Sequence, residues 1–396
     1  MTDAVRTAPA PQRQTLYSLL LGAVWAIVVA LALIVLSVAD YLPEGPDEWT
    51  YDWRTFFFSP SADEPRQDIA VILINDNSLA DYDYVSPVDR GLVATLLQAL
   101  DDAQPKAIGL DFIYDRKSEE AKTRQLIAAM KGLKSPLVFG AIDQRVRGFS
   151  KENIDYQAKF IDDTGREAGH VFFANQEEQL KIDDQAVRYM STVSPDWPRK
   201  SFAELIAEKA GAAPYTPRTR YISWLLSPRN DDLFTLFRVP RHAPGSGRDA
   251  ILPPSWRNAL KGKIVLIGGE FVDRDRHLTP LSVWDGGKMP GVLIQAQILG
   301  QLIDGRSIYT FPLVNETLLL VIIAFVGFLM TRGRETRRYD WVLYVGGVVI
   351  LMICGIVLFH FFSIIAPTTT LLFAWTLGVT GGHYIPQLLK RMQLAG

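Results

Sequence analysis

From Trp341 to Leu389 the chain contains no Asp, Glu, Lys or Arg. About 20 apolar residues suffice for a helix to cross the hydrocarbon core of a bilayer. This stretch is too long for one crossing and long enough for two, with a tight turn carrying Pro367. Backbone polar groups inside a bilayer must be satisfied within their own segment, which restricts such stretches to helices. Two more uncharged runs exist, Leu16 to Val38 and Thr317 to Thr331, the second extended outward by Phe311, Pro312, Leu313 and Val314. The sequence therefore predicts four transmembrane helices, one N-terminal (16–38) and three C-terminal (313–331, 341–359 and 368–389). Ser37-Val38-Ala39 resembles a signal-peptide cleavage site, but the run before it exceeds the roughly 7–15 apolar residues usual in such peptides.

Orientation follows from basic residues in short loops, which stay on the inner side. The tail at 1–15 carries Arg6 and Arg13, the loop at 332–340 carries Arg332, Arg334, Arg337 and Arg338, and the tail at 390–396 carries Lys390 and Arg391. The turn near Ser363 carries none. Four spans with both termini inside satisfy these counts and put residues 40–312 outside. The expected location is a bacterial inner membrane, multi-pass, with the large domain in the periplasm and lipid as an obligatory partner. The inner pieces hold 8 of the 41 basic and 3 of the 43 acidic residues, which leaves the outer segment near −7. Neither that nor the net charge of −2 suggests nucleic-acid binding. Cys354, the single cysteine, lies in an apolar run, so the outer domain has neither disulfide nor thiolate metal site.

The outer segment alternates strand and helix patterns. Ile69 to Ile74 is a continuous, β-branched apolar run, as expected of a strand buried on both faces. Asp89 to Ala103 follows as a helix with Leu92, Leu96, Leu97 and Leu100 on one stripe. Lys106 to Asp111, Leu137 to Ile142 and Lys263 to Gly268 read as further strands; Glu119 to Leu133 and Val292 to Leu302 read as helices. The fold class is an α/β extracytoplasmic domain, a mostly parallel sheet with flanking helices. The polar stretch 145–169 reads as an insertion, and 238–250 as a surface loop.

Six short motifs occur in order: Ile72-Leu-Ile-Asn-Asp76-Asn-Ser78-Leu79, Ser86-Pro87-Val-Asp89-Arg90, Lys106-Ala-Ile-Gly-Leu-Asp111, Asp183-Asp184-Gln-Ala-Val-Arg188, Gly262-Lys-Ile-Val-Leu-Ile-Gly268, and the set Asp275, Thr279-Pro280, Pro290-Gly291-Val292. Together with one span before and three after the domain, they resemble the second class of CHASE domain, extracellular sensory domains associated with cyclases and histidine kinases. The resemblance covers about residues 40–385. This chain has Asn75-Asp76, Ser86 and Asp184-Gln185 where the family usually has an acidic pair, a tryptophan and an Asp-Gly turn. Family members of this layout normally continue into an output domain, whereas here a short tail follows the last span.

Ligands of parallel sheets bind beyond the carboxyl ends of the strands. Asp76 and Asp111 stand just past two such ends, Asp275 follows a third, and Arg90 opens the helix after the first strand. Convergence of these four would make a pocket for a ligand or a hard cation; an internal Asp–Arg network that pins loops is the competing reading. Asp52 and Arg54, beside the aromatic run ending at Phe58, suit anchoring near the membrane or transmission of a signal. No catalytic set is recognisable. Gly268-Gly269 lacks a Walker lysine, Ser78 has no suitably placed histidine, and the five histidines form no H-E-x-x-H pair.

These readings lead to a non-enzymatic sensor or regulatory subunit, without a resident metal or any assignable cofactor. It is expected to be a homo-oligomer acting through a separate signalling or envelope protein. The alternative is a structural building block of a membrane-anchored homo-oligomeric assembly.

Overall fold

A computed structural model describes residues 10–42, 45–142, 148–173, 186–191, 194, 198–229, 231–332 and 340–395. The motif residues Asp183, Asp184 and Gln185 and the basic residues Arg334, Arg337 and Arg338 lie outside them. The chain divides into two compact units, Thr55–Ile308 and the pair Met1–Arg54 with Tyr309–Gly396. Helices of eight residues or more are α1 (Ala10–Val38), α2 (Gly45–Phe58), α3 (Arg90–Asp101), α4 (Glu120–Gly132), α5 (Lys151–Thr164), α6 (Phe202–Lys209), α7 (Gly291–Asp304), α8 (Leu313–Thr331), α9 (Asp340–Phe362) and α10 (Thr368–Ala395).

The unit from Thr55 to Ile308 is built on six strands: β1 (Arg66–Asn75), β2 (Ala107–Ile113), β3 (Leu137–Ala141), β4 (Glu167–His170), β5 (Phe234–Arg238) and β6 (Ile264–Glu270). Their order is β4-β3-β2-β6-β1-β5, and every neighbouring pair is parallel. The uninterrupted apolar run of β1 is explained by burial on both faces. Ala70, Ile72 and Ile74 pack with α3, α4 and α5, and Ile69, Val71 and Leu73 pack with α6 and α7. Leu92, Leu96, Leu97 and Leu100 of α3 are buried, as their spacing predicts. Asp89 starts that helix by accepting from the amides of Gly91 and Leu92, both at 2.9 Å.

Two sequence expectations need correction. The stretch read as an insertion at 145–169 contains α5 and most of β4 within its described part. The cause is visible: Ser150 and Asn153 form a capping box, Phe160 and Ile161 face the core, and Gly165 closes the helix in the left-handed conformation. Strand β5 was also not anticipated; it is an edge strand, only partly buried, and its five residues alternate weakly. Opposite, α7 carries a row of buried glutamines. Gln297 and Gln301 exchange hydrogen bonds with the backbone of Tyr221, Ser223 and Leu225, giving that extended segment the partners a strand would have supplied.

Among the described residues of the other unit, three helical segments are long and apolar enough to cross a membrane: Leu16–Val38, Leu313–Thr331 and Trp341–Phe362. The last helix, α10, is less apolar, with Gly381-Gly382-His383, Pro386 and Gln387 in its second half. It nevertheless packs closely on α8. A Cβ at Gly378 would lie 2.3 Å from the Ala324 carbonyl, so the two backbones touch. Small residues allow this approach, which is how helices associate where no hydrophobic force separates them from lipid. From α1, Ala26, Val29, Ala30 and Leu33 join Leu320 and Ala324 of α8 and Leu371 and Ala374 of α10 in one buried cluster.

Candidate functional site

The cleft of interest lies beyond the carboxyl ends of β2 and β6. These adjacent strands leave the sheet in different ways. Pairing of β2 with β6 ends at Leu110 opposite Ile267, and pairing of β2 with β3 shifts between Leu110 and Ile113. The shift frees Asp111 from the ladder. After β6 the chain turns through Arg274 and Asp275, and Asp275 takes the left-handed conformation with φ 51°, which aspartate tolerates better than most residues. The space between has a volume of about 370 Å³ and is lined by Asp111, Asp275, Arg90, Arg274, Tyr114 and apolar side chains such as Phe112 and Phe271. This is within the range of small-molecule pockets.

Three of the four residues singled out in the sequence thus meet. Burial, and then the charge of Asp275, pushes the Asp111 carboxyl well above the usual carboxylate range. No hydrogen bond reaches Asp111 from the described residues. The Asp275 carboxylate rests against Gly291, the first residue of α7: a Cβ there would lie 2.7 Å from Oδ1. A helix start favours negative charge, and glycine makes room for it. Asp275 also approaches Nε2 of His277 at 3.3 Å, and its carbonyl accepts from the Gly291 amide.

Arg90 is buried, 2% exposed. Its guanidinium donates to Thr123 Oγ1 and Tyr156 Oη, each at 2.8 Å, and to the Arg116 carbonyl at 2.6 Å. It also lies 5.5–5.7 Å from the ring centres of Tyr114, Tyr156 and Phe160. No carboxylate among the described residues forms an ion pair with it. Arg90 therefore stands outside any Asp–Arg pairing among the described residues, and aromatic faces and neutral acceptors hold the cation instead. Asp115, next to the cleft, is engaged by Arg116 and by Asn153.

Asp76 does not join the others. It is exposed and accepts a hydrogen bond from the Val272 amide at 3.1 Å, which ties the β1 turn to the loop after β6. It sits one residue beyond β1, and that turn folds away: Ser78 bonds to Asn75 and donates to the Val239 carbonyl at 2.6 Å. Sequence reasoning missed Tyr114. Its phenol is 5% exposed and has no hydrogen-bond partner among the described residues. Burial pushes its pKa up, so it stays a neutral O–H donor. The signal available was position alone, three residues past Asp111.

Arg54 lies elsewhere, in the membrane-helix unit. Nε donates to the Thr50 carbonyl at 2.9 Å, and Nη2 donates to the hydroxyls of Thr50 and Thr368 at 2.8 and 3.2 Å. Asp47 accepts from the Thr369 amide at 2.9 Å. One face of α2 is thereby fastened to the first turn of α10. Asp52, on the same helix, is half-buried. Among the described residues, no group of three or more His, Cys, Asp or Glu is arranged to hold a metal ion.

A model of the CHASE2 domain, a family of CHASE-type extracellular sensory domains, matches residues 26–329. No curated protein matched the chain. No solved structure did either.

Proposed function

The chain belongs to the CHASE2 domain family, and from that premise we propose that it is a non-enzymatic sensor or regulatory subunit of a bacterial inner membrane. Apolar helices flank a domain of sensory type, so it is a membrane protein. The finer topology belongs to the proposal: domain in the periplasm, four spans, both termini in the cytoplasm. The observation that carries the sensor reading is the cleft beyond β2 and β6, where the charged side chains of Asp111, Asp275, Arg90 and Arg274 line a space of ligand size. A role in binding, not catalysis, suits the engaged state of Ser78, whose hydroxyl is committed to the Val239 carbonyl.

A ligand shifts a two-state equilibrium only by its differential affinity for the two states. In the proposed mechanism, the ligand favours one setting of the loops that carry Asp111 and Asp275. Helix α2 is the route to the membrane, because the boundary between the units falls inside it, after Arg54. Asp52 and Arg54 are its transmitting and anchoring residues, and a separate signalling or envelope protein receives the bias, with the chain working as a homo-oligomer.

The test is the mass of the detergent-extracted full-length protein by light scattering, alone and with whatever co-purifies. A dimer or small complex that retains a signalling protein is the expected result. A large, stable homo-oligomer without such a partner would discard the sensor reading and leave a structural assembly.

A further inference from the structure

Four groups around the cleft keep hydrogen-bonding capacity that the described residues do not use, and they are not of one kind. On one side are two carboxyl groups: Asp111, half-buried and without a hydrogen-bond partner among the described residues, and Asp275, an exposed carboxylate that rests against Gly291 and whose side-chain hydrogen-bond partner among the described residues is His277. No lysine or arginine among the described residues pairs with either. On the other side is Arg90, 2% exposed, whose Nε–H and one Nη2 proton find no acceptor among the described residues. Beside it stands Tyr114, 5% exposed, whose O–H is unpartnered. Burying a polar group without a partner costs free energy, and burying a charge without compensation costs more. The two halves do not neutralise each other, because no ion pair joins Arg90 to Asp111 or Asp275.

Resting on the sensor reading above, we propose that this cleft is a binding site for a small zwitterion that carries both a protonated amine and a carboxylate, the chemistry of a free amino acid. The ammonium donates to Asp111 and Asp275. The carboxylate accepts from the spare protons of Arg90, with exposed Arg274 at the rim, and binding turns the buried Tyr114 Oη–H toward it. The apolar walls, Phe112 and Phe271 among them, receive a side chain. Charge decides against the simpler classes. An amine alone would be placed in the same cleft as Arg90, which has no carboxylate partner among the described residues, and an anion alone beside the two carboxyl groups. A zwitterion answers both and leaves the total charge unchanged. Bound ammonium also favours ionised Asp111, so binding releases a proton below the pH at which free Asp111 ionises.

The experiment is thermal unfolding of the full-length protein in detergent, with a panel of free amino acids and, for each, the amine lacking the carboxylate and the acid lacking the amine. At ten times its Kd a ligand specific for the folded state raises the melting temperature of a domain of this size by about 3–5 °C. The expected result is such a shift for at least one amino acid and none for its two truncated forms. Tyr114→Phe and Asp111→Asn should each weaken that ligand by about tenfold, the cost of one lost hydrogen bond to a charged group. No shift from any amino acid, a truncated form as effective as its parent, or unchanged affinity in both variants would overturn the proposal. A truncated amine or acid that binds and is lost in the variants would leave the sensor reading standing with another ligand class. The sensor reading itself falls only on the light-scattering result.

Discussion

Asp111 is the residue whose environment makes the plainest prediction. Its carboxyl is held protonated above the usual carboxylate range by burial and by Asp275. Above that range the unfolded chain has released the proton and the folded chain still holds it. The native state then binds more protons than the unfolded state, so stability falls as pH rises, until the folded group also ionises. The slope cannot exceed about 1.4 kcal/mol per pH unit for one proton. Asp111→Asn should flatten this part of the profile and raise the melting temperature near pH 7 relative to the parent; parallel profiles from pH 4 to 8 would refute the assignment. Gly291→Ala tests the other carboxylate. Its methyl group would collide with Asp275 Oδ1, and the displaced Asp275 should lower the apparent pKa of Asp111 in the same melts. The sequence marked both carboxylates because each follows a buried strand, and a parallel sheet brings strand ends together. It could not distinguish Asp76, since one residue past β1 the chain turns back through Ser78 and points that carboxylate at the Val272 amide. Nor could it find Tyr114, whose importance lies in a missing partner.

At the level of elements, legibility followed burial. β1, β2 and β6 are central strands with apolar residues on both faces, and α3 shows its stripe because one face meets the sheet, so composition reported structure directly. β4 and β5 are the sheet's edges, where pairing on one side relaxes the demand for apolar residues and the pattern fades. α5 was hidden by Lys, Glu and Asp on its outer face and by a buried glutamine, Gln157, on its inner one, although its caps were present in the sequence. The start of α3 shows how much a cap contributes. Asp89 is 2% exposed, accepts from two backbone amides, and pairs with Lys122 Nζ at 2.6 Å. Asp89→Ala removes these bonds and a longer one from Tyr84 Oη at 3.4 Å, and should destabilise the domain by about 1–3 kcal/mol. Asp89→Asn keeps the cap and gives up only the charge, so it should recover at least half of that loss in a denaturant titration. Equal losses for both variants would show that the ion pair, not the cap, holds the helix start.

For the whole molecule, the open question of architecture is whether α10 crosses the bilayer, because its composition alone is too mixed to decide. The packing bears on it. Along α8, Glu316 meets Thr370, Ala324 meets Gly378, Phe328 meets Gly382, and Thr331 Oγ1 donates to the Val379 carbonyl. Residue numbers rise together on both helices, so α8 and α10 run parallel and stay in contact over about 22 Å, from Glu316 to Thr331. α1 closes the group from the opposite direction, with Trp25 Nε1 donating to the Leu377 carbonyl and Gly22 against Phe328. A helix that accompanies a membrane-crossing helix over most of the hydrocarbon thickness should share its environment, and the glycines that make α10 less apolar are packed against α8 and Trp25 of α1. α8 and α10 should then cross in the same direction, with α9 returning between them, and both termini should lie on one side. Reporter fusions decide this. A fluorescent protein that matures only in the cytoplasm, fused after Gly396, should be bright, and a phosphatase that works only in the periplasm should be inactive there. The same pair placed after Ser363, in the turn between α9 and α10, should give the opposite result. An active phosphatase after Gly396 would mean that α10 does not cross, and would require the basic tail at Lys390 and Arg391 to lie outside, against the charge rule that set the orientation.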